Sequence, residues 1–165
     1  MTGDNGDYPR VIARPPLLYL GALLLGLLLN YLWPARIVSE GVRYPGVVAV
    51  IVPGVLVIAA AMREFRLAGT NVETYRPATA LVTGGPYRFS RNPIYLGLAL
   101  IYAGIGLAAN SLWTMVLLIP LLAIIRYGVI AREEAYLERK FGEKYVHYKA
   151  SVRRWFQILP FGRAN

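Results

Sequence analysis

Three stretches without a charged side chain constrain this chain more than any other feature. Pro15–Ala35 holds 21 such residues, Tyr44–Met62 holds 19 and Asn92–Ile125 holds 34. A helix that crosses the hydrocarbon core of a bilayer needs roughly 20 residues. The first two stretches fit one span each, and the third is long enough for two if it breaks at Asn110-Ser111. The expected fold is all-α, a polytopic membrane protein of about four transmembrane helices at 17–33, 45–62, 93–109 and 112–130. Spans three and four form a tight hairpin, and a helical extension follows on the cytoplasmic side. The apolar share of 56% and the mean hydropathy of +0.45 exceed those of an ordinary soluble domain. The length of 165 residues fits one domain, 1–165.

The net charge of +9 is unevenly placed. Of 18 Lys and Arg, two precede the first span, two lie in the first loop, five fall between Arg63 and Arg91, and nine lie from Arg126 onward. The second loop and the tail therefore share one side, which the positive-inside rule makes cytoplasmic. With four spans the N-terminus lies there too. The expected location is integral membrane, the cytoplasmic membrane in a bacterium, with both termini cytoplasmic. Attraction to anionic headgroups accounts for the excess charge, so the bilayer is the expected partner and nucleic acid is not. No cysteine is present, which excludes disulfides, thiolate catalysis and cysteine-held metals, and no metal is expected. Met1–Arg10 is acidic and polar, unlike a cleaved signal peptide.

Along the chain, Gly21 and Gly26 are small packing residues of span one, and Tyr31 with Trp33 anchors its far end. Pro53-Gly54 predicts a kink within span two. The cytoplasmic loop from Arg63 to Arg91 is long enough to be functional. It ends in Thr79-Ala-Leu-Val-Thr-Gly-Gly-Pro-Tyr-Arg-Phe-Ser-Arg-Asn-Pro-Ile-Tyr-Leu-Gly97. Gly84-Gly85-Pro86 forces a turn, Asn92 stands where an N-cap belongs, and Pro93 where the first helical residue does. Gly104-Ile-Gly106 follows no strand and is not a nucleotide fingerprint.

Beyond span four, Ile130, Leu137 and Phe141 form an apolar stripe at helical spacing. Glu133 and Glu134 flank this stripe instead of standing opposite it. They are either surface acids answering Arg132, Arg139 or Lys140, or part of a site. Gly142 ends the helix, Tyr145 and Tyr148 stand one turn apart, and Arg153-Arg154-Trp155-Phe156 suits the headgroup region. His147 has no acid or nucleophile set beside it and reads as a surface residue.

Taken together these residues resemble the isoprenylcysteine carboxyl methyltransferase family and the related phospholipid methyltransferases. The matching pieces are Leu81-Val82-Thr83-Gly84-Gly85-Pro86-Tyr87, Arg91-Asn92-Pro93-Ile94-Tyr95-Leu96-Gly97, Glu133-Glu134, Phe141-Gly142, Tyr145 and Tyr148. The resemblance covers roughly 79–152. It implies methyl transfer from S-adenosylmethionine, with S-adenosylhomocysteine as product, to a small lipophilic or lipid acceptor. By position, Thr79, Ala80, Leu81, Val82, Tyr87, Asn92, Pro93, Ile94 and Tyr95 would line the cofactor, with Glu133 or Glu134 opposite. A glutamate can pair with the cofactor's ammonium or ribose hydroxyls, and Tyr87 or Tyr95 can stack near its adenine or meet its sulfonium methyl.

Asn92 replaces the histidine of the prenylcysteine enzymes and matches the phospholipid methyltransferases. The prenylcysteine enzymes place an arginine one turn before the acidic pair, where this chain has Val129. Arg126, seven residues before Glu133, is the expected substitute as a catalytic and acceptor-binding residue together with Glu134. Arg153 or Arg154 folding back is the alternative, and Tyr148 is a further acceptor contact. The leading expectation is a carboxyl-type acceptor. The alternatives are a phospholipid N-methyltransferase and a non-enzymatic four-helix scaffold or transport subunit. Charge buried within the spans would favour transport, and the three stretches hold none.

Overall fold

An apolar segment must satisfy its own backbone hydrogen bonds, and a helix does so within one segment. In the computed structural model, which describes residues 7–9, 11–72 and 76–157, each uncharged stretch is accordingly helical. The apolar helices are α1 (Pro15–Leu32), α2 (Glu40–Leu67), α3 (Pro93–Ala108) and α4 (Leu112–Ile124). Helix α4 runs without a break through a π-helical turn, Ile125–Ile130, into α5 (Ala131–Phe141), and α6 (Glu143–Ser151) comes next. One 3₁₀ turn, Gly85–Arg88, precedes α3, and the described residues contain no strand.

Among the described residues three helices are long and apolar enough to cross a membrane: Pro15–Leu32, Glu40–Leu67 and the continuous Leu112–Phe141. Helix α3 is apolar but has 16 residues, a rise of about 24 Å against a hydrocarbon core of about 30 Å. Three of the four expected spans are thus matched by long apolar helices, and α3, at the place of the third, is shorter than a span requires. Its surroundings account for the difference. Helix α3 packs on α2, α1 and α4 and buries Tyr95, Gly97, Ala99, Tyr102, Gly104 and Gly106 against its neighbours and the adjoining loops. The outer helices instead expose apolar rows, such as Leu20, Leu24 and Leu28 of α1, as lipid-facing helices do.

Small residues set the α2–α3 approach. A Cβ at Gly97 would stand 2.5 Å from Ile58 Cγ1 and 2.8 Å from the Gly54 carbonyl oxygen, so only glycine lets these backbones meet. Helix α2 keeps Pro45 and Pro53 within it and continues to Leu67, taking in Arg63, Glu64 and Arg66, which the sequence assigns to the loop. The hairpin break falls where expected. Asn110 adopts φ +48°, and its side chain clamps the loop after α1 by accepting from the Ile37 and Val38 amides (2.9 and 3.1 Å) and donating to the Val38 carbonyl (2.9 Å). Ser111 caps α4 by accepting from the Thr114 amide at 3.2 Å.

Two apolar clusters hold the bundle. One joins Tyr19, Tyr95, Tyr102, Leu121, Ile125, Val129 and Ile130. The other joins Ala61, Val82, Tyr87, Tyr145, Tyr148 and Val152, with Leu137 and Phe141 packed against it. The stripe of Ile130, Leu137 and Phe141 therefore bridges the two. Gly142, at φ +54°, ends α5 as expected.

Candidate functional site

One end of the bundle gathers the start of α1, the end of α2, the start of α3, and α5 and α6 around a cavity of about 490 Å³. The turn before α3 shapes one wall. Gly85 takes φ +53°, and a Cβ there would lie 2.8 Å from Glu64 Cγ, so the expected turn also needs glycine for space. Tyr87 comes next in this wall, buried, with its ring edge-on to Phe65 at 5.6 Å. Its carbonyl accepts from Tyr148 Oη at 2.8 Å. Burial pushes the phenols of Tyr87, Tyr145 and Tyr148 well above their usual range, so all three remain O–H donors at neutral pH.

Asn92 occupies the N-cap position and Pro93 the first helical one, but the Asn92 side chain does not cap α3. Its Nδ2 donates to the Arg154 carbonyl at 3.0 Å. The Arg91 amide donates to the Arg153 carbonyl (3.0 Å) and the Gln157 amide to the Phe89 carbonyl (2.9 Å). The segment 153–157 is thereby sewn onto 88–92. A cap was expected; a docking site for the segment after α6 is what Asn92 provides.

The two adjacent glutamates point to different partners. Glu134 is buried and accepts from Arg91 Nη2 (2.9 Å), Arg154 Nε (3.0 Å) and Arg154 Nη2 (2.7 Å). Arg91 is itself 9% exposed and donates Nη1 to the Lys149 carbonyl at 2.8 Å. The surface-acid reading named Arg132, Arg139 or Lys140, and the cations that hold Glu134 are Arg91 and Arg154 instead. Glu133 lies half-buried on the cavity wall and accepts from Tyr95 Oη at 2.6 Å. Tyr95 is fixed in turn, since its carbonyl accepts from Tyr19 Oη at 3.0 Å.

Of the residues expected from sequence, Ala80, Leu81, Val82, Tyr87, Asn92, Ile94, Tyr95, Glu133, Glu134 and Tyr148 line the cavity. Four others do not. Thr79 braces the loop, donating its hydroxyl to the Gly69 carbonyl (3.1 Å) and its amide to Thr70 Oγ1 (2.9 Å). Pro93 is fully buried, and Arg153 meets Arg91 through its carbonyl. Arg126 is exposed, its guanidinium 5.0 Å over the Tyr127 ring. The π turn at Ile125–Ile130 is the physical reason. Arg126 and Glu133 are seven residues apart, which is two turns of an α-helix, but a π turn takes up one more residue and rotates the side chains beyond it by about 100°. Val129, where the resemblance puts an arginine, is wholly buried among apolar side chains.

Arg91 is a wall residue that the sequence alone does not single out, although it stands in the Arg91-Asn92-Pro93 motif. Tyr136 is another, three residues after Glu133 and so on the same helical face. The contribution of Pro9 and of Arg14 to Leu17 carries no local signal. His147 is exposed, as expected. Among the described residues no group of three or more His, Cys, Asp or Glu could hold a metal.

The cavity is amphiphilic. Its volume falls in the usual range of ligand pockets, about 300–1,000 Å³. Its polar end offers Glu133 with one engaged oxygen, and Phe65, Ile94, Leu98 and Leu137 supply apolar wall. Phospholipid methyltransferase is the family whose sequence model matches, over residues 42–144, more than half of the chain. An uncharacterized protein of Haemophilus influenzae is 48% identical over 63 residues, which are 38% of this chain and 98% of that protein. The chain belongs to the phospholipid methyltransferase family, a family of integral membrane methyltransferases.

Proposed function

We propose that this membrane methyltransferase uses S-adenosylmethionine and methylates the amine of a lipophilic acceptor. The observation that carries the reading is the parting of the two glutamates. Glu133 faces the cavity with a tyrosine as its partner, while the nearby arginines Arg91 and Arg154 are committed to Glu134. A carboxylate acceptor would call for a cation beside the reacting group. Arg126 and Arg153, the residues expected to supply it, stand outside the lining. An amine acceptor calls for a carboxyl group that can take up its proton, and Glu133 is the one that faces the cavity with a tyrosine hydroxyl on its carboxylate.

The cofactor, when bound, supplies a methyl group activated on a sulfonium. Glu133 offers a carboxylate to the cationic part of the ligand set, and a charge-assisted contact of this kind contributes roughly 1.5–3 kcal/mol. Tyr95 holds that carboxylate in place through its hydroxyl. The acceptor nitrogen must lose its proton before its lone pair attacks the methyl carbon, and Glu133 is the group placed to take it. With the cofactor bound, its C–S bond would break as the N–C bond formed, giving S-adenosylhomocysteine, and Glu133 would hold the proton given up by the nitrogen. The transfer is an in-line displacement without a covalent enzyme intermediate, so positioning carries most of the catalysis. Ala80 to Val82 and Tyr87 form one wall and Ile94 and Leu98 the floor. Arg14 and Arg76 are exposed residues of the same lining.

A radiolabelled-methyl assay on the full chain tests this, with phosphatidylethanolamine vesicles in one arm and a prenylcysteine analogue in the other. Label in the lipid amine is the expected result. Label confined to the prenylcysteine analogue would overturn the acceptor class. Folded protein that does not bind the cofactor's demethylated product would leave the scaffold reading standing instead.

A further inference from the structure

The hydroxyl of Tyr136 joins three walls of the cavity. Tyr136 lies on α5, is 6% exposed, and presents its ring to the cavity beside Glu133. Its Oη accepts from the Ala78 amide (3.1 Å) and from Lys140 Nζ (3.2 Å). Its single proton serves the Asp7 carbonyl (3.0 Å) or Asp7 Oδ1 (3.1 Å). A phenol has one donor and two acceptor positions, so its capacity is fully used. Lys140 also pairs with the Asp7 carboxylate, which closes a ring of contacts around the hydroxyl.

Each partner belongs to a different segment of the wall. Asp7 stands two residues before Pro9, which lines the cavity together with Arg14. That stretch is held further along by the Ile12 amide, which donates to the Gly128 carbonyl at 3.3 Å in the π turn. Ala78 opens the approach that carries Ala80, Leu81 and Val82 into the lining. That approach is tied on its far side by Thr70 Oγ1, which accepts from the amides of Thr79 (2.9 Å) and Ala80 (3.3 Å). Both segments are otherwise irregular backbone, so their distance from Glu133 depends on such side-chain bonds.

We infer that Tyr136 is a positioning residue for cofactor binding, its hydroxyl fixing the N-terminal segment and the 76–82 approach at their working distance from Glu133. The inference rests on the reading of the cavity as the S-adenosylmethionine site. Removing the hydroxyl leaves the aromatic packing in place but takes one tie from both segments at once.

The test compares wild type with Tyr136→Phe as full chains in detergent. Amide exchange at 11–14 and 76–82 should quicken together, and the dissociation constant for S-adenosylhomocysteine should rise about fivefold, the effect of roughly one hydrogen bond. Asp7→Ala, at an exposed position, should quicken exchange at 11–14 and raise the constant by less. Added to Tyr136→Phe it should raise the constant no further, a non-additivity that loss of packing alone would not give. Unchanged exchange in Tyr136→Phe, or faster exchange with unchanged affinity, would overturn the role of Tyr136. Wild type that fails to bind S-adenosylhomocysteine would refute the cofactor reading itself, so the two failures are distinguishable.

Discussion

The cavity's two acidic walls differ although they begin at neighbouring residues. The Glu134 wall is an ion cluster in which one carboxylate holds two guanidiniums, and through them the loop before α3, the end of α6 and the segment around Arg154. The Glu133 wall is sparse: one carboxylate, one phenol, and open cavity. Charge that is already paired stabilises a scaffold, whereas charge left facing a cavity is available to a ligand. On the proposed function the Glu-Glu motif divides its labour between architecture, at Glu134, and recognition, at Glu133.

The largest effect that should separate the walls is on stability. Glu134→Ala strands the buried Arg91, and breaking such a pair costs about 3–5 kcal/mol. The expected outcome is a steep loss of thermal midpoint in detergent, and an unchanged midpoint would break the comparison. Next comes Glu133→Gln, which should leave the midpoint in place and weaken S-adenosylhomocysteine binding by roughly tenfold or more, the cost of a charge-assisted contact. Tyr95→Phe should rank third with a loss of about fivefold in affinity, since it frees Glu133 to turn without removing its charge. The smallest changes belong to Arg126→Ala and His147→Ala, both exposed and away from the cavity. Their unfolding free energies should stay within about 0.5 kcal/mol of wild type, with binding unaffected. A large loss of binding in Arg126→Ala would return that residue to the site.

The helices are legible in the sequence where charge is absent, because a lipid-facing helix must be apolar along its length. Residues 63–67 look like loop because helix α2 continues into charged residues, which the headgroup region tolerates. The shortness of α3 is not visible in the sequence, since its cover comes from three neighbouring helices. Within the site, Tyr87, Tyr95 and the glutamates are legible because they sit in ordered motifs. The partners of Glu134 lie 43 and 20 residues away in sequence, so no local pattern could pair them. The π turn explains why helical spacing misplaces Arg126. One extra residue in a turn leaves no mark in composition, yet it rotates every side chain after it.

The division between the two glutamates is tested most directly by calorimetric titration of S-adenosylhomocysteine into wild type and Glu133→Gln, each shown by its thermal midpoint to be folded. The account predicts saturable one-to-one binding by wild type and at least a tenfold loss in the variant at the same midpoint. Equal affinity in the two proteins, or no binding by folded wild type, would contradict it.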